Sequence, residues 1–157
     1  MRTFNLILGA LALVSSAGRA AAQSSDGTVT VVETDRVKAA FAKGTPLIEV
    51  RDYKIHASRR EGPGVAEIHT RDTDIAYILQ GSAVLVTGGT VPDAKEIAPE
   101  ELRAPTIQGG QTRQVVVGDV VVIPNGVPHW FKEVKAPFLY YVVKVRQAER
   151  ETAAGAM

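Results

Sequence analysis

From Leu47 onward apolar and polar residues alternate with a period of two, in short runs separated by glycine, proline and small polar residues. That spacing predicts β-strands joined by tight turns, the layout of an antiparallel barrel or sandwich. Leu47 to Ala57 reads as one strand whose phase slips at Arg51-Asp52, which suggests a bulge. Val65 to His69, Asp74 to Leu79, Ser82 to Thr87, Arg113 to Val117, Val120 to Ile123 and Phe138 to Val145 read as further strands, with Gln80-Gly81 and Gly118-Asp119 as turns. Ahead of them, Thr28 to Val32 alternates weakly as an edge strand. A short helix follows, capped by Thr34 or Asp35, with Val37, Ala40 and Phe41 on one face and Gly44 as its stop. Residues 88–111, rich in glycine and proline, read as a long loop with a helical turn or two near Pro99 to Arg103.

The first 22 residues stand apart from this pattern. Arg2, a largely apolar run from Phe4 to Val14 and the small residues Ser15 to Ala22 have the layout of a secretory signal peptide. The run is too short for a membrane span, which takes about 20 residues. Removing it leaves one domain over residues 23–146 and a flexible tail over 147–157, in a protein expected in the periplasm or secreted. The loss of Arg2 and Arg19 takes the formal charge from +1 to −1, and no basic patch points to nucleic acid. There is no cysteine, so neither a disulfide nor a thiolate metal site is available. Any metal has to be held by nitrogen and oxygen.

Glu67 and His69 are two apart on one strand, so their side chains leave the same face. An inward carboxylate and imidazole need partners or a cation, because burying them alone is costly. Asp74 shares phase with Ala76 and Ile78 while Ile75, Tyr77 and Leu79 take the other; the pattern leaves open which phase faces the core. His129 follows a rigid bend, Pro124-Asn125-Gly126-Val127-Pro128, whose glycine is placed for a positive φ. Read alone, a histidine beside Trp130 is more often a packed core or rim residue than a ligand, and the Trp130 ring should point away from it. His56 reads as a surface or rim residue, and Arg59, Arg60 and Arg71, near the opening, as solvated charges more often than as groups that steer an anion.

Two stretches resemble the paired motifs of the cupin family. The first is Glu67-x-His69, four residues, Asp74, six residues, Gly81; the second is Gly118, five residues, Pro124-x-Gly126, two residues, His129, three residues, Glu133. The resemblance is to a small, exported, single-domain cupin of the cupin_2-like kind, and implies an all-β, antiparallel jelly-roll barrel with a short N-terminal helix. Glutamate and aspartate replace the family's first histidine and its glutamate. By carry-over the metal ligands are Glu67, His69, Asp74 and His129, with Fe(II), Mn(II) or Zn(II) as the cofactor such donors suit. Two carboxylates would leave a divalent ion neutralised, which favours an anionic substrate less than three histidines would. Glu67 could instead serve as a general base, and Tyr77 is a second candidate catalytic group.

The resemblance therefore implies a metal-dependent enzyme acting on a small organic molecule, as a dioxygenase, isomerase or lyase. A small-ligand-binding or sensing module and a metal-free structural dimer are the alternatives. A homodimer is expected in each case, since cupin-like domains commonly pair through their sheets.

Overall fold

The structure, a computed structural model, describes residues 27–148. The signal-peptide assignment and most of the tail fall outside that range. Helix α1 (Thr34–Lys43) begins after Glu33, so Thr34 and Asp35 lie in its first turn and neither is the cap. Asp35 near its start and Lys43 near its end both complement the helix dipole. Gly44 stops it as expected. Thr28 to Val32 is not a strand: it runs outside the sheet, with Val29 and Val31 exposed.

Strands β1 (Pro46–Glu49) and β2 (Tyr53–Arg60) form an antiparallel hairpin. The phase slip at Arg51-Asp52 is thus a chain reversal and not a bulge, closed by a Val50 N–H donating to Tyr53 O at 3.0 Å. β3 (Ala66–His69) is followed by β4 (Asp72–Thr87), one long strand where two were expected. Gln80-Gly81 does not turn the chain. The register against its neighbour slips around Gln80, and Gly81 sits at φ 75° inside the strand. This is a bulge, which bends a strand without ending it.

The segment 88–111 also differs from expectation. It contains β5 (Lys95–Ala98) and β6 (Glu101–Ala104), and β6 pairs along the whole of β3. Pro99 therefore lies at a hairpin turn and not in a helix. β7 (Gln111–Val116), β8 (Val120–Ile123) and β9 (His129–Arg146) complete the strands among the described residues.

All nine strands belong to one curled antiparallel sheet, ordered β1-β2-β9-β3-β6-β5, with β4 pairing β7, β8 and β9. The fold is all-β and antiparallel, as the alternation predicted, and curled as the jelly roll implied by the resemblance requires. β9 holds it together by pairing with β2, β3 and β4. The concave face is filled by Ala76, Ile78, Leu85, Phe131, Phe138 and Val142, with Ile78 and Phe138 fully buried. On the convex face α1 packs over Leu47 and Ala57, and the Phe41 ring meets Tyr141 edge-on at 4.8 Å. Beyond the helix that face leaves Ile75, Tyr77, Val120 and Val122 exposed.

Trp130 turns away from His129, as its phase requires, and packs against Ala66, Val86, Ala104 and Ile107. Its indole N–H donates to the Gly64 carbonyl at 2.7 Å. Trp130→Phe keeps most of the packing and loses that bond, so urea unfolding should show a loss of about 1 kcal/mol. An unchanged midpoint would mean the bond contributes nothing net.

Candidate metal centre

Four of the sequence-derived residues meet at one end of the concave face. β3 supplies Glu67 and His69, β4 supplies Asp74, and β9 supplies His129 directly across from Glu67 in the ladder. His69, Asp74 and His129 are all buried. β4 resolves its phase in favour of Asp74, Ala76 and Ile78 inside, with Ile75, Tyr77 and Leu79 outside. Tyr77 consequently does not reach the site. The two-residue period that turns Asp74 inward turns Tyr77 to the convex face, 47% exposed.

Among the described residues, His69 Nε2 is buried and has no hydrogen-bond partner. It lies 3.7 Å from a Glu67 oxygen and 3.6 Å from Asp74 Oδ2, and His129 Nε2 lies 4.0 Å from the same Asp74 oxygen. A buried ring nitrogen surrounded by oxygens, yet too far from each for a good hydrogen bond, suits a cation placed between them. His129 is oriented for the same purpose. Its Nδ1 is 3.1 Å from Val127 O, which can only accept, so Nδ1 carries the proton and Nε2 presents its lone pair. Burial pushes the His129 pKa down, which keeps the ring neutral and able to ligate. Gly126, at φ 79°, makes the bend that delivers this residue, and its N–H donates to His69 O at 2.8 Å. The bend thus ties the two histidine-bearing segments together.

Glu67, His69 and His129 offer one ligand atom each, all within 4.8 Å of one another. Asp74 is engaged differently. Lys144, opposite it in the β4–β9 ladder, donates to both of its oxygens at 2.8 and 2.7 Å. The donor set fits a borderline divalent ion through two imidazoles and one carboxylate, with Asp74 held beside it by the lysine.

The cavity around these residues measures about 270 Å³. Its wall includes three groups that sequence reasoning placed elsewhere or did not single out, Arg60, His56 and Lys144, together with Tyr140. Arg60, expected as a solvated charge, points inward. Its Nε donates to Tyr140 Oη at 3.0 Å, its Nη2 to Glu67 at 3.4 Å, and its guanidinium lies 5.0 Å from the Phe131 ring centre. Tyr140 is the phenol that faces the cavity, while Tyr141 faces α1. His56 lines the cavity too, because Ile55 and Ala57 face the helix and so leave the other phase of β2 inside. A signal for Lys144 existed: it shares phase with Phe138, Tyr140 and Val142, and a lysine on a buried face needs an acid. Arg59 and Arg71 pair with Glu61 and Glu100 near the surface. Glu133, at the end of the second motif, is exposed and takes no part.

Burial by itself would raise the Glu67 pKa, but His69, Arg60, His129 and Arg103 together outweigh it and leave the group at about 2. At 3.7 Å the His69 contact is too long for a good hydrogen bond, so favourable charge and dipole interactions carry the shift. A carboxylate depressed in the folded state contributes stability above its unfolded pKa and loses it as pH falls through the folded value. The metal-free protein should therefore lose at most about 3 kcal/mol between about pH 4.5 and 2 through this group. Urea titrations across that range check it, with Glu67→Gln expected to flatten the slope; an equal slope in the variant would assign the loss to other carboxylates.

The family model described as Cupin matches residues 54–156, a span that contains every residue of this centre. This chain belongs to the cupin family. Among solved structures, the cupin resembles protein BH2720 from Bacillus halodurans with a TM-score of 0.55 and 14% identity, over 78% of this chain and 86% of that one. It also resembles protein NMB1881 from Neisseria meningitidis with a TM-score of 0.51 and 13% identity, over 74% and 99% of the two chains. At these identities the likeness is one of fold. No curated protein matches the cupin. Among the described residues no helix is long and apolar enough to cross a membrane.

Proposed function

We propose that this cupin is a metal-dependent enzyme acting on a small organic molecule. The observation that carries the reading is the buried, unpartnered His69 Nε2, aimed between Glu67, Asp74 and His129. His69, His129 and Glu67 would hold Fe(II), Mn(II) or Zn(II), and such an ion would supply Lewis acidity and open positions for a substrate oxygen or dioxygen. The chain's own part is to orient both imidazoles, keep Asp74 charged and close by, and line the cavity with the Tyr140 phenol and the Arg60 guanidinium. Dioxygenase, isomerase and lyase chemistry all remain consistent with this donor set.

A cavity lined by so many charged and polar groups supports this reading over a purely structural dimer. Export follows from the signal-like first residues. A homodimer is supported by the apolar convex face around Tyr77 and Val120, and light scattering on the purified protein tests it. Elemental analysis of the mature protein, purified without chelators or a metal-binding tag, tests the metal. One equivalent in the wild type and none in a His69→Ala, His129→Ala double variant is the expected result. Iron or manganese would direct attention to oxygen consumption, zinc to isomerase and lyase assays. No metal in the wild type, even after reconstitution, would sink the enzyme reading.

A further inference from the structure

Charge balance around the cavity differs from the one its ligands alone suggest. Glu67 and Asp74 would neutralise a divalent ion if nothing else faced them, leaving little attraction for an anion. Each is instead already matched by a cation of the protein: Asp74 by Lys144 at 2.7 Å, Glu67 by Arg60 at 3.4 Å. The remaining charged pair of the wall, Glu101 and Arg103, is matched within itself at 2.8 Å. The carboxylates and cations of the wall therefore balance, and imidazoles that ligate an ion are neutral, so a divalent ion leaves the site two charges positive among largely buried side chains.

We infer that this site takes a carboxylate or similar small anion, with Arg60 as the residue that receives it. The inference rests on the metal-site reading above and names the substrate class for it. Arg60 has the geometry for the role. Its fork carries five N–H donors, and two are engaged, by Tyr140 and Glu67. Its side chain is 23% exposed. A broader depression on the outer side shares His56, Ser58, Arg60 and Tyr140 with the cavity, so Arg60 stands where the two meet. Gly64 makes room for it: a Cβ there would collide with Arg60 Nη1. Gly64 thus leaves space for the guanidinium where the chain passes from β2 to β3 along β9.

The test compares an acid with its neutral isostere. Protein loaded with one equivalent of Co(II) is titrated with butyrate and with butyramide, read by the visible cobalt spectrum. Butyrate should bind at least about tenfold more tightly, and Arg60→Met should lose about tenfold for butyrate while hardly changing butyramide. Arg60→Lys keeps a cation beside Glu67 without the planar fork, and should lose about threefold. Equal affinity for acid and amide in the wild type would overturn the anion assignment while leaving the metal site intact. A butyrate preference unchanged in both variants would remove Arg60 from the role. Failure to take up cobalt would overturn the metal reading and this inference with it.

Discussion

Replacing Lys144 with Met should destabilise the metal-free protein by about 3 kcal/mol, the low end of the cost of stripping one partner from a buried ion pair. Asp74 is buried, its side chain 9% exposed, and Lys144 donates to both of its oxygens. Without the lysine the carboxylate faces two imidazole nitrogens, at 3.6 and 4.0 Å, neither placed to bond it well. Two further measurements separate this cause from a packing defect. The Asp74→Asn, Lys144→Met double variant should recover most of the loss, since an amide is far cheaper to bury than an unpaired charge. Excess Zn(II) should recover part of it in the single variant, by placing a cation near the stranded oxygens. Urea unfolding with and without a chelator reads both. If the double variant were no more stable than the single, the pair would not be the source of the effect.

Gly81→Ala should cost about 3 kcal/mol or more, from backbone strain and overpacking together. At φ 75° any other residue is strained, and an added Cβ would lie 2.6 Å from both Lys135 O and Pro137 O. Those are backbone atoms of β9 opposite the bulge, and they cannot swing aside as a side chain would. Gly118→Ala is the control: φ is 93° there, but nothing lies within 4 Å of the added Cβ. It should cost only about 1–2 kcal/mol, the strain alone. The difference between the two, by thermal or urea unfolding, measures how closely β4 and β9 approach. Equal losses would mean that β9 yields at this point and that the close contact costs nothing.

Strand alternation made the fold class legible, because a period of two survives in β2, β4, β7 and β9 whatever packs against them. What it could not show was how far each strand runs. Gln80-Gly81 looks the same in sequence whether the chain turns or bulges, and only the unbroken partner β9 decides it. The reverse error occurred at Arg51-Asp52, where a phase slip meant for a bulge is a hairpin. Both follow from reading a strand without its neighbour. In the site, Glu67, His69, Asp74 and His129 were legible because their spacing matched a family motif. Lys144 and Arg60 lie outside that motif: the phase of β9 hinted that Lys144 needs an acid, but register alone names Asp74 as that acid and places Arg60 on the inner phase of β2. Tyr77 was misplaced because phenols on adjacent inner and outer phases cannot be told apart until one side of β4 is known to be covered.

β9 also governs when the molecule can form. It is the last strand, and it carries His129, Phe131, Tyr140 and Lys144 together with the partners of β2, β3 and β4. The bonds that complete the cavity reach back 80 residues from Tyr140 to Arg60 and 70 from Lys144 to Asp74. Pairings of such sequence separation form late and slowly, because the loop must close before the contact repays it. During synthesis everything up to residue 128 emerges with its central partner missing. The barrel is therefore assembled only once β9 has emerged, and any truncation that removes the end of β9 takes the core and the site away together.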